Sequence, residues 1–205
     1  MIYEKLSEDI KKKIKDNERL TEVSQMFLDS TTGNMIDLIS LLANKLQING
    51  DLKPYCYLSN IDVIDTVITH DHSKIIENIW KEGKVHNIFQ ENKLSDSSVN
   101  LFKVLGNYEH TERIILTSQN MKKVMKLKLY DKFWKELNES LYNKNLILLG
   151  INLDSDTKDI LNLGFSKMDL STTSKYFVTS SPLSLEDESW LISNEFKFVY
   201  DDDRD

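Results

Sequence analysis

The sequence predicts an α/β fold in which a mostly parallel sheet carries helices on both faces and follows an N-terminal helical segment. Three short apolar runs, at residues 146–150, 176–179 and 196–200, are separated by polar segments of helix length. Apolar runs of this length with little polar alternation are typical of strands covered on both faces, and crossover helices make such strands parallel. Parallel sheets bind ligands beyond the carboxyl ends of their strands, so a site is expected there.

The chain opens with helices rather than a strand. Apolar residues recur at three- and four-residue steps in segments 3–14, 20–27 and 35–46, which indicates three amphipathic helices within residues 1–50. Their apolar faces need a partner surface, which could be the sheet, one another or a second chain.

Further strands are predicted between these helices and the C-terminal runs. The β-branched run 63–69 predicts a strand with a helix after it, and shorter strands are predicted at 85–89 and ending at 102–106. Residues 114–117 form a strand or strand-like run, and helices are predicted at 121–129 and 133–141. The whole is a Rossmann-like, mostly parallel sheet of about six strands.

The domain organisation follows from length and composition. No low-complexity stretch divides the 205 residues, so a single domain over 1–205 is expected, with a core at 54–200 and a solvated acidic tail at 201–205. A net charge of −7 argues against nucleic-acid or anionic-membrane partners. Cys56 is the only cysteine and cannot form an internal disulfide, so a cytoplasmic location is expected. It lies between Tyr55 and Tyr57, and a buried structural thiol is favoured over a nucleophile.

Two polar clusters fall at predicted strand ends. His70-Asp71-His72 could ligate a metal, but no further ligand spacing supports this, and a polar loop that caps the next helix is favoured. Asp154, Ser155 and Asp156 could line a ligand crevice or cap a helix, and capping is favoured. No metal site is therefore expected. The three tryptophans lie on predicted amphipathic helices, so packing is favoured over substrate stacking; they are Trp80, Trp134 and Trp190.

Four segments, in order, resemble the sirtuin-like (silent information regulator two-like) domain in its divergent bacterial form. Residues 69–72, with Ile75, Ile76 and Glu77 after them, resemble a strand that ends in a Thr-Asn-Tyr-Asp-like motif. Residues 103–106 and 114–117 resemble a Lys-Leu-His-Gly segment and the apolar run beyond it. Residues 146–156 resemble an apolar strand that ends in Gly-x-Ser/Asn-Leu with a downstream Asp, and residues 176–200 resemble the closing strand, helix and strand.

The resemblance implies an NAD crevice and also exposes departures from the family pattern. The implied crevice residues are Thr69, His70, His72, Gly106, Gly150, Asn152 and Asp156. His70 and His72 stand where the family has Asn and Asp, Leu105 stands where it has the catalytic His, and no Gly-Ala-Gly turn precedes the opening helices. An aliphatic side chain cannot accept a proton, so general-base catalysis is lost at Leu105. We expect a truncated, catalytically impaired relative.

The expected function is therefore a non-catalytic sirtuin-like domain with an interaction or regulatory role, in a bacterial or phage defence context. A protein partner or a homo-oligomer is expected and a cofactor is not, although NAD is the cofactor that the resemblance implies. One alternative is an active NAD-consuming hydrolase in which His70 or His72 acts as the base. Another is a subunit or inhibitor that joins a larger complex through its N-terminal helices.

Overall fold

A computed structural model describes residue 11 and residues 19–30, 33–45, 52–80, 85–88, 99–108, 114–126 and 130–200. The chain divides into two compact units, Met1–Phe133 and Trp134–Asp205, and each is described by itself. Apart from Lys11, which is helical, the predicted helix at 3–14 lies outside the described residues, and so does the acidic tail. The single domain over 1–205 stays a prediction.

Five described helices belong to the first unit. They are α1 (Leu20–Leu28), α2 (Met35–Lys45), α3 (Lys53–Leu58), α4 (Ile75–Ile79) and α5 (Ser118–Lys126). The first two confirm the predicted amphipathic helices at 20–27 and 35–46. Their apolar faces supply Phe27, Leu38, Ile39 and Leu42 to one buried cluster, which also contains Ile114 and Leu116 from the 114–117 run. These helices therefore find their partner surface within the first unit.

The first sheet contains three parallel strands, β1 (Thr66–Thr69), β2 (Val85–Ile88) and β3 (Val99–Lys103), in the order β1-β3-β2. All three were predicted, although β1 begins three residues later than the β-branched run, since a turn closed by the Ile64 amide and the Ile61 carbonyl oxygen at 3.1 Å precedes it. Helix α4 packs on this sheet through Ile76, with Trp80 and Leu101 in the same buried cluster. The 114–117 run is strand-like: it is buried, and the Ile115 amide donates to the Leu105 carbonyl oxygen at 2.9 Å.

The second unit repeats the strand-helix pattern that the apolar runs predict. After α6 (Asp131–Leu141), which crosses the boundary, come β4 (Asn145–Leu149), α7 (Ser155–Lys167), β5 (Ser174–Thr179), α8 (Leu185–Ser193) and β6 (Phe196–Tyr200). The strands pair in the order β4-β5-β6, and both pairs are parallel. The α/β class with parallel strands is thus confirmed. The six described strands are hydrogen-bonded in two sets of three.

The inner face of the second sheet carries that unit's core. Leu146, Leu148, Phe177 and Phe196 are buried there. Helices α7 and α8 cover this face, since the rings of Phe165 and Trp190 lie 5.8 and 6.3 Å from the ring of Phe196. Helix α6 lies beside α7, where a methyl group added at Gly164 would be 3.5 Å from Trp134. The packing interpretation is confirmed for Trp80 and Trp134, which are 4% and 5% exposed, while Trp190 is half-buried.

The outer face of the second sheet departs from the expectation of strands covered on both faces. Ile147 is 58% exposed, Leu149 49% and Val199 43%. The two crossovers step in the same direction along the sheet, and because parallel crossovers are almost always right-handed, both helices fall on one face. An unbroken apolar run therefore does not, in this sheet, signal burial on both sides.

Cys56 corrects another expectation. The prediction of a buried thiol is wrong, because Cys56 lies on the short helix α3 and is exposed. None of the described helices is long and apolar enough to cross a bilayer.

Candidate functional site

Two neighbouring strands of the first sheet place their carboxyl ends side by side. Thr69 is opposite Lys103 in the parallel register, and the amide of Val104 donates to the Thr69 carbonyl oxygen at 3.0 Å, one step beyond the last pair. The loops that follow these strands, residues 70–74 and 104–108, therefore begin next to each other. This is the strand-end position at which parallel α/β sheets bind ligands.

His72 joins the two loops. Its Nδ1 lies 3.2 Å from the carbonyl oxygen of Gly106, which has a left-handed φ of 76°. A carbonyl oxygen can only accept, so Nδ1 carries the proton and donates it, and Nε2 keeps its lone pair in the neutral ring. The resemblance assigns His72 and Gly106 to the same crevice, and the structure brings the two residues into contact.

The surroundings of His72 favour the neutral imidazole. Burial lowers the pKa of His72 below its ordinary value of 6.5, and the charges of His70 and Lys103 lower it further. The hydrogen bond to Gly106 and the negative charge of Asp71 oppose this shift without cancelling it. His72 therefore presents an uncharged ring with one accepting nitrogen at neutral pH.

Asp71 organises the loop between β1 and α4. Its backbone amide donates to the hydroxyl of Thr69 at 3.0 Å, and its two carboxylate oxygens accept from the amide and the hydroxyl of Ser73 at 2.8 and 2.6 Å. The hydroxyl of Ser73 in turn accepts from the Ile75 amide at 3.2 Å. These bonds confirm the polar loop at 70–73, but the cap position of the helix is Lys74, which makes no side-chain cap bond.

Tyr108 lies against His72, with ring centroids 5.7 Å apart. Its hydroxyl is buried and has no hydrogen-bond partner among the described residues. Burial, together with the negative charge of Asp71, raises the pKa of Tyr108 to about 12. Sequence reasoning missed this residue, because an isolated tyrosine in a loop carries no motif that would single it out.

Lys103 and Glu77 form an ion pair beneath the two loops. The Lys103 Nζ lies 2.7 Å from Glu77 Oε1, with side chains only 2% and 17% exposed, and it also donates to the carbonyl oxygen of Ser73. The second carboxylate oxygen of Glu77 is buried and has no partner among the described residues. The signal that could have found this pair is a lysine inside an apolar strand, since a buried ammonium group needs a partner.

The remaining sequence-predicted residues of the first unit differ in placement. His70 is exposed at the carboxyl end of β1, while Thr69 and Leu105 are half-buried. Within the part of the chain that the structure describes, no three His, Cys, Asp or Glu side chains lie close enough to share a metal ion.

Three of the predicted crevice residues belong to the second unit. Gly150 follows β4 with a φ of 64°, Asn152 is exposed in the next loop, and Asp156 is half-buried in the first turn of α7. Asp154 is the helix cap, because its Oδ1 accepts from the Thr157 amide at 2.8 Å. The capping interpretation is thus confirmed. Of the seven predicted crevice residues, the structure therefore brings together Thr69, His72 and Gly106 around the first-unit strand ends.

Comparison with known proteins supplies the family. No curated protein matches the chain at a significant level. Residues 62–198 match the family model of the SIR2-like domain, and this range covers more than half of the chain. It includes β1, β3 and the loops that hold His72 and Gly106, as well as the second sheet up to Phe198 in β6. The chain therefore belongs to the SIR2-like domain family.

Proposed function

We propose that this chain is a non-catalytic SIR2-like domain that acts through binding another protein, in an interaction or regulatory role. The observation that carries the proposal is Leu105, which stands next to Gly106 in the strand-end site, at the position that the resemblance assigns to the catalytic base. A leucine side chain has no lone pair with which to accept a proton. The site keeps its backbone framework while the expected base is absent from that position.

The residues described at the strand ends do not fit a dinucleotide. The ammonium group of Lys103 is already bound by Glu77 and by the Ser73 carbonyl oxygen, so it is not available for a diphosphate. Asp71 adds negative charge beside the loop, which disfavours an anion. The six glycines of the sequence include no Gly-x-Gly turn, the usual means by which a backbone approaches a diphosphate.

The interaction role has separate support. The second sheet exposes several large apolar side chains on its outer face. The single cysteine, which leaves no internal disulfide, favours a cytoplasmic setting. The abundance of Lys, Asn and Ile, typical of AT-rich genomes, favours a bacterial or phage origin, and a defence context belongs to the same proposal.

A second candidate function is hydrolysis of NAD, and one observation favours it. The Nε2 of His72 keeps its lone pair and faces no hydrogen-bond partner among the described residues, so it could accept a proton in place of the missing histidine. This second candidate requires that NAD hydrolysis depend on His72.

Release of nicotinamide from NAD by the purified full chain separates the two candidates. If the domain is non-catalytic, the wild type should release no nicotinamide above a buffer control. Leu105→His should release none either, because restoring the histidine does not make the site hold the dinucleotide. Sustained turnover that disappears in His72→Gln would refute the non-catalytic role and establish the second candidate.

A further inference from the structure

The outer face of the second sheet is an apolar surface with one charge at its margin. The parallel register sets its side chains in two rows that run across the strands. The first row is Ile147, Tyr176 and Lys197, and the second is Leu149, Val178 and Val199. Five of the six are apolar or aromatic, and the face is named the outer face below.

The unit's own helices do not cover the outer face. Helices α7 and α8 pack through Phe165 and Trp190 on the opposite side, against Phe196. The exposed fractions of Ile147, Leu149 and Val199 are 58%, 49% and 43%. An all-parallel sheet such as this one is almost always covered on both faces, so an uncovered face calls for a partner. In α/β proteins the usual cover for a parallel sheet is a helix.

The size of the outer face fits one helix better than a second copy of the chain. Three strands about 4.8 Å apart and five residues long give a footprint on the order of 200 Å². A stable dimer buries about 800 Å² on each partner, which this face alone cannot supply. A helix rises about 1.5 Å per residue and is about 10 Å wide, so about eleven residues would span the same strands.

Lys197 determines the charge of the partner. Its Nζ lies 5.5 Å from the centroid of the Tyr176 ring, and it makes no ion pair among the described residues. It is the only charged side chain in the two rows, and it lies toward the amino ends of the strands. A carboxylate placed there would gain both a charge partner and a position at the edge of the apolar patch.

We propose that the outer face binds an amphipathic helix of a partner protein, with an apolar stripe over Ile147, Leu149 and Val199 and a carboxylate over Lys197. This inference rests on the proposed interaction role and assigns it a surface and a partner chemistry. The acidic residue lies at the end of the stripe that faces the amino ends of the strands.

The test uses the full chain and a defined probe. The probe is a fluorescent, hydrocarbon-stapled helix of about eleven residues, with leucines at i, i+3, i+4 and i+7 and two glutamates at one end of the stripe. A matched peptide carries lysines in place of the glutamates. We expect saturable binding of the acidic peptide by fluorescence polarisation. Ile147→Thr with Val199→Thr, which preserve strand propensity, should weaken binding about tenfold or more.

A charge exchange makes the result specific. Lys197→Glu should weaken the acidic peptide roughly fivefold and strengthen the basic peptide by a similar factor. The matched control Lys122→Glu changes an exposed lysine of the first unit by the same charge and should leave both affinities unchanged. Equal binding of the two peptides by wild type and Lys197→Glu, or no saturable binding, would overturn the inference.

Two further outcomes are decisive. If sedimentation shows a dimer that the Ile147→Thr and Val199→Thr changes dissociate, the outer face belongs to a second copy and the helix proposal is wrong. Nicotinamide release together with charge-dependent peptide binding would refute the non-catalytic role while supporting this inference. No turnover together with no peptide binding would support the non-catalytic role and refute this inference.

Discussion

The Nδ1 of His72 and the carbonyl oxygen of Gly106 lie 3.2 Å apart, although 34 residues separate them in sequence. This hydrogen bond ties the loop after β1 to the loop after β3 and fixes which ring nitrogen carries the proton. Because the ring is also largely removed from water, the folded protein opposes its protonation. Burial of the ring, rather than the hydrogen bond itself, therefore makes the folded protein sensitive to acid, because protonation of Nε2 leaves the Nδ1 donor in place.

The free energy of unfolding should fall when the pH is lowered through the ordinary pKa of histidine. The pKa of His72 in the folded protein is below 6.5, so the unfolded chain binds the proton first. Stability is therefore fully present above about pH 6.5 and is lost as the pH falls toward the folded-state pKa. Urea unfolding between about pH 7.5 and about pH 5.5 measures the slope.

The variant His72→Gln keeps a donor for Gly106 and removes the titration. Its unfolding free energy should change less over this pH range than that of the wild type. An unchanged slope in His72→Gln would contradict the assignment.

Breaking the Lys103–Glu77 ion pair should be costly. Lys103→Met leaves the Glu77 carboxylate largely buried without its partner, and we expect a loss of about 3 kcal/mol. The double change Lys103→Met with Glu77→Leu should cost less than the sum of the single changes, because neither charge is then left alone. A double-mutant cycle in urea measures this coupling. The exposed pair Lys135–Glu139, at 3.7 Å, is the comparison and should show a coupling of about 0.5 kcal/mol or less.

Removal of the helix cap at Asp154 should destabilise the second unit modestly. Asp154→Ala leaves the Thr157 amide without its acceptor, which should cost about 1 kcal/mol. Asp154→Asn retains an accepting oxygen and should stay within a few tenths of a kcal/mol of the wild type. Thermal unfolding of the three proteins checks this order, and a loss that is equal in both variants would argue against capping.

Two glycines should respond to alanine in opposite directions. Gly150 has a φ of 64° with nothing within 4 Å of an added methyl, so Gly150→Ala should lose about 1 kcal/mol from backbone strain alone. Gly164 lies within α7, where a methyl would make ordinary contacts at 3.5 Å with Trp134 and Met168. Gly164→Ala should therefore gain about 0.5 to 1 kcal/mol through helix propensity. Chemical denaturation of both variants tests the contrast.

Features set by neighbouring residues were predictable from the sequence. The strand-helix alternation of the second unit follows from run lengths and spacing, and the Asp154 cap follows from an acidic residue directly before an apolar helix pattern. In these cases, residues within one turn or one strand determine the structure.

Features set by residues far apart in sequence were not predictable. The contact of His72 with Gly106 and the pairing of Lys103 with Glu77 depend on strand order, which periodicity does not report. Cys56 looked buried because tyrosines flank it, yet in a helix adjacent residues point in different directions. The exposure of Ile147 depends on which face of the sheet the crossover helices cover, and an apolar run does not indicate that face.

Strand β4 presents leucines inward and Ile147 and Leu149 outward, so a slip by one residue would exchange one apolar set for another. Burial alone therefore specifies its alignment with β5 only weakly. Polar contacts ahead of the two strands supply the missing information, since the Thr173 hydroxyl donates to the Leu141 carbonyl oxygen at 3.1 Å. The alignment of the second sheet is consequently fixed just before its strands begin, by this buried hydroxyl together with the Asn143 amide, which donates to the Thr172 hydroxyl at 3.4 Å.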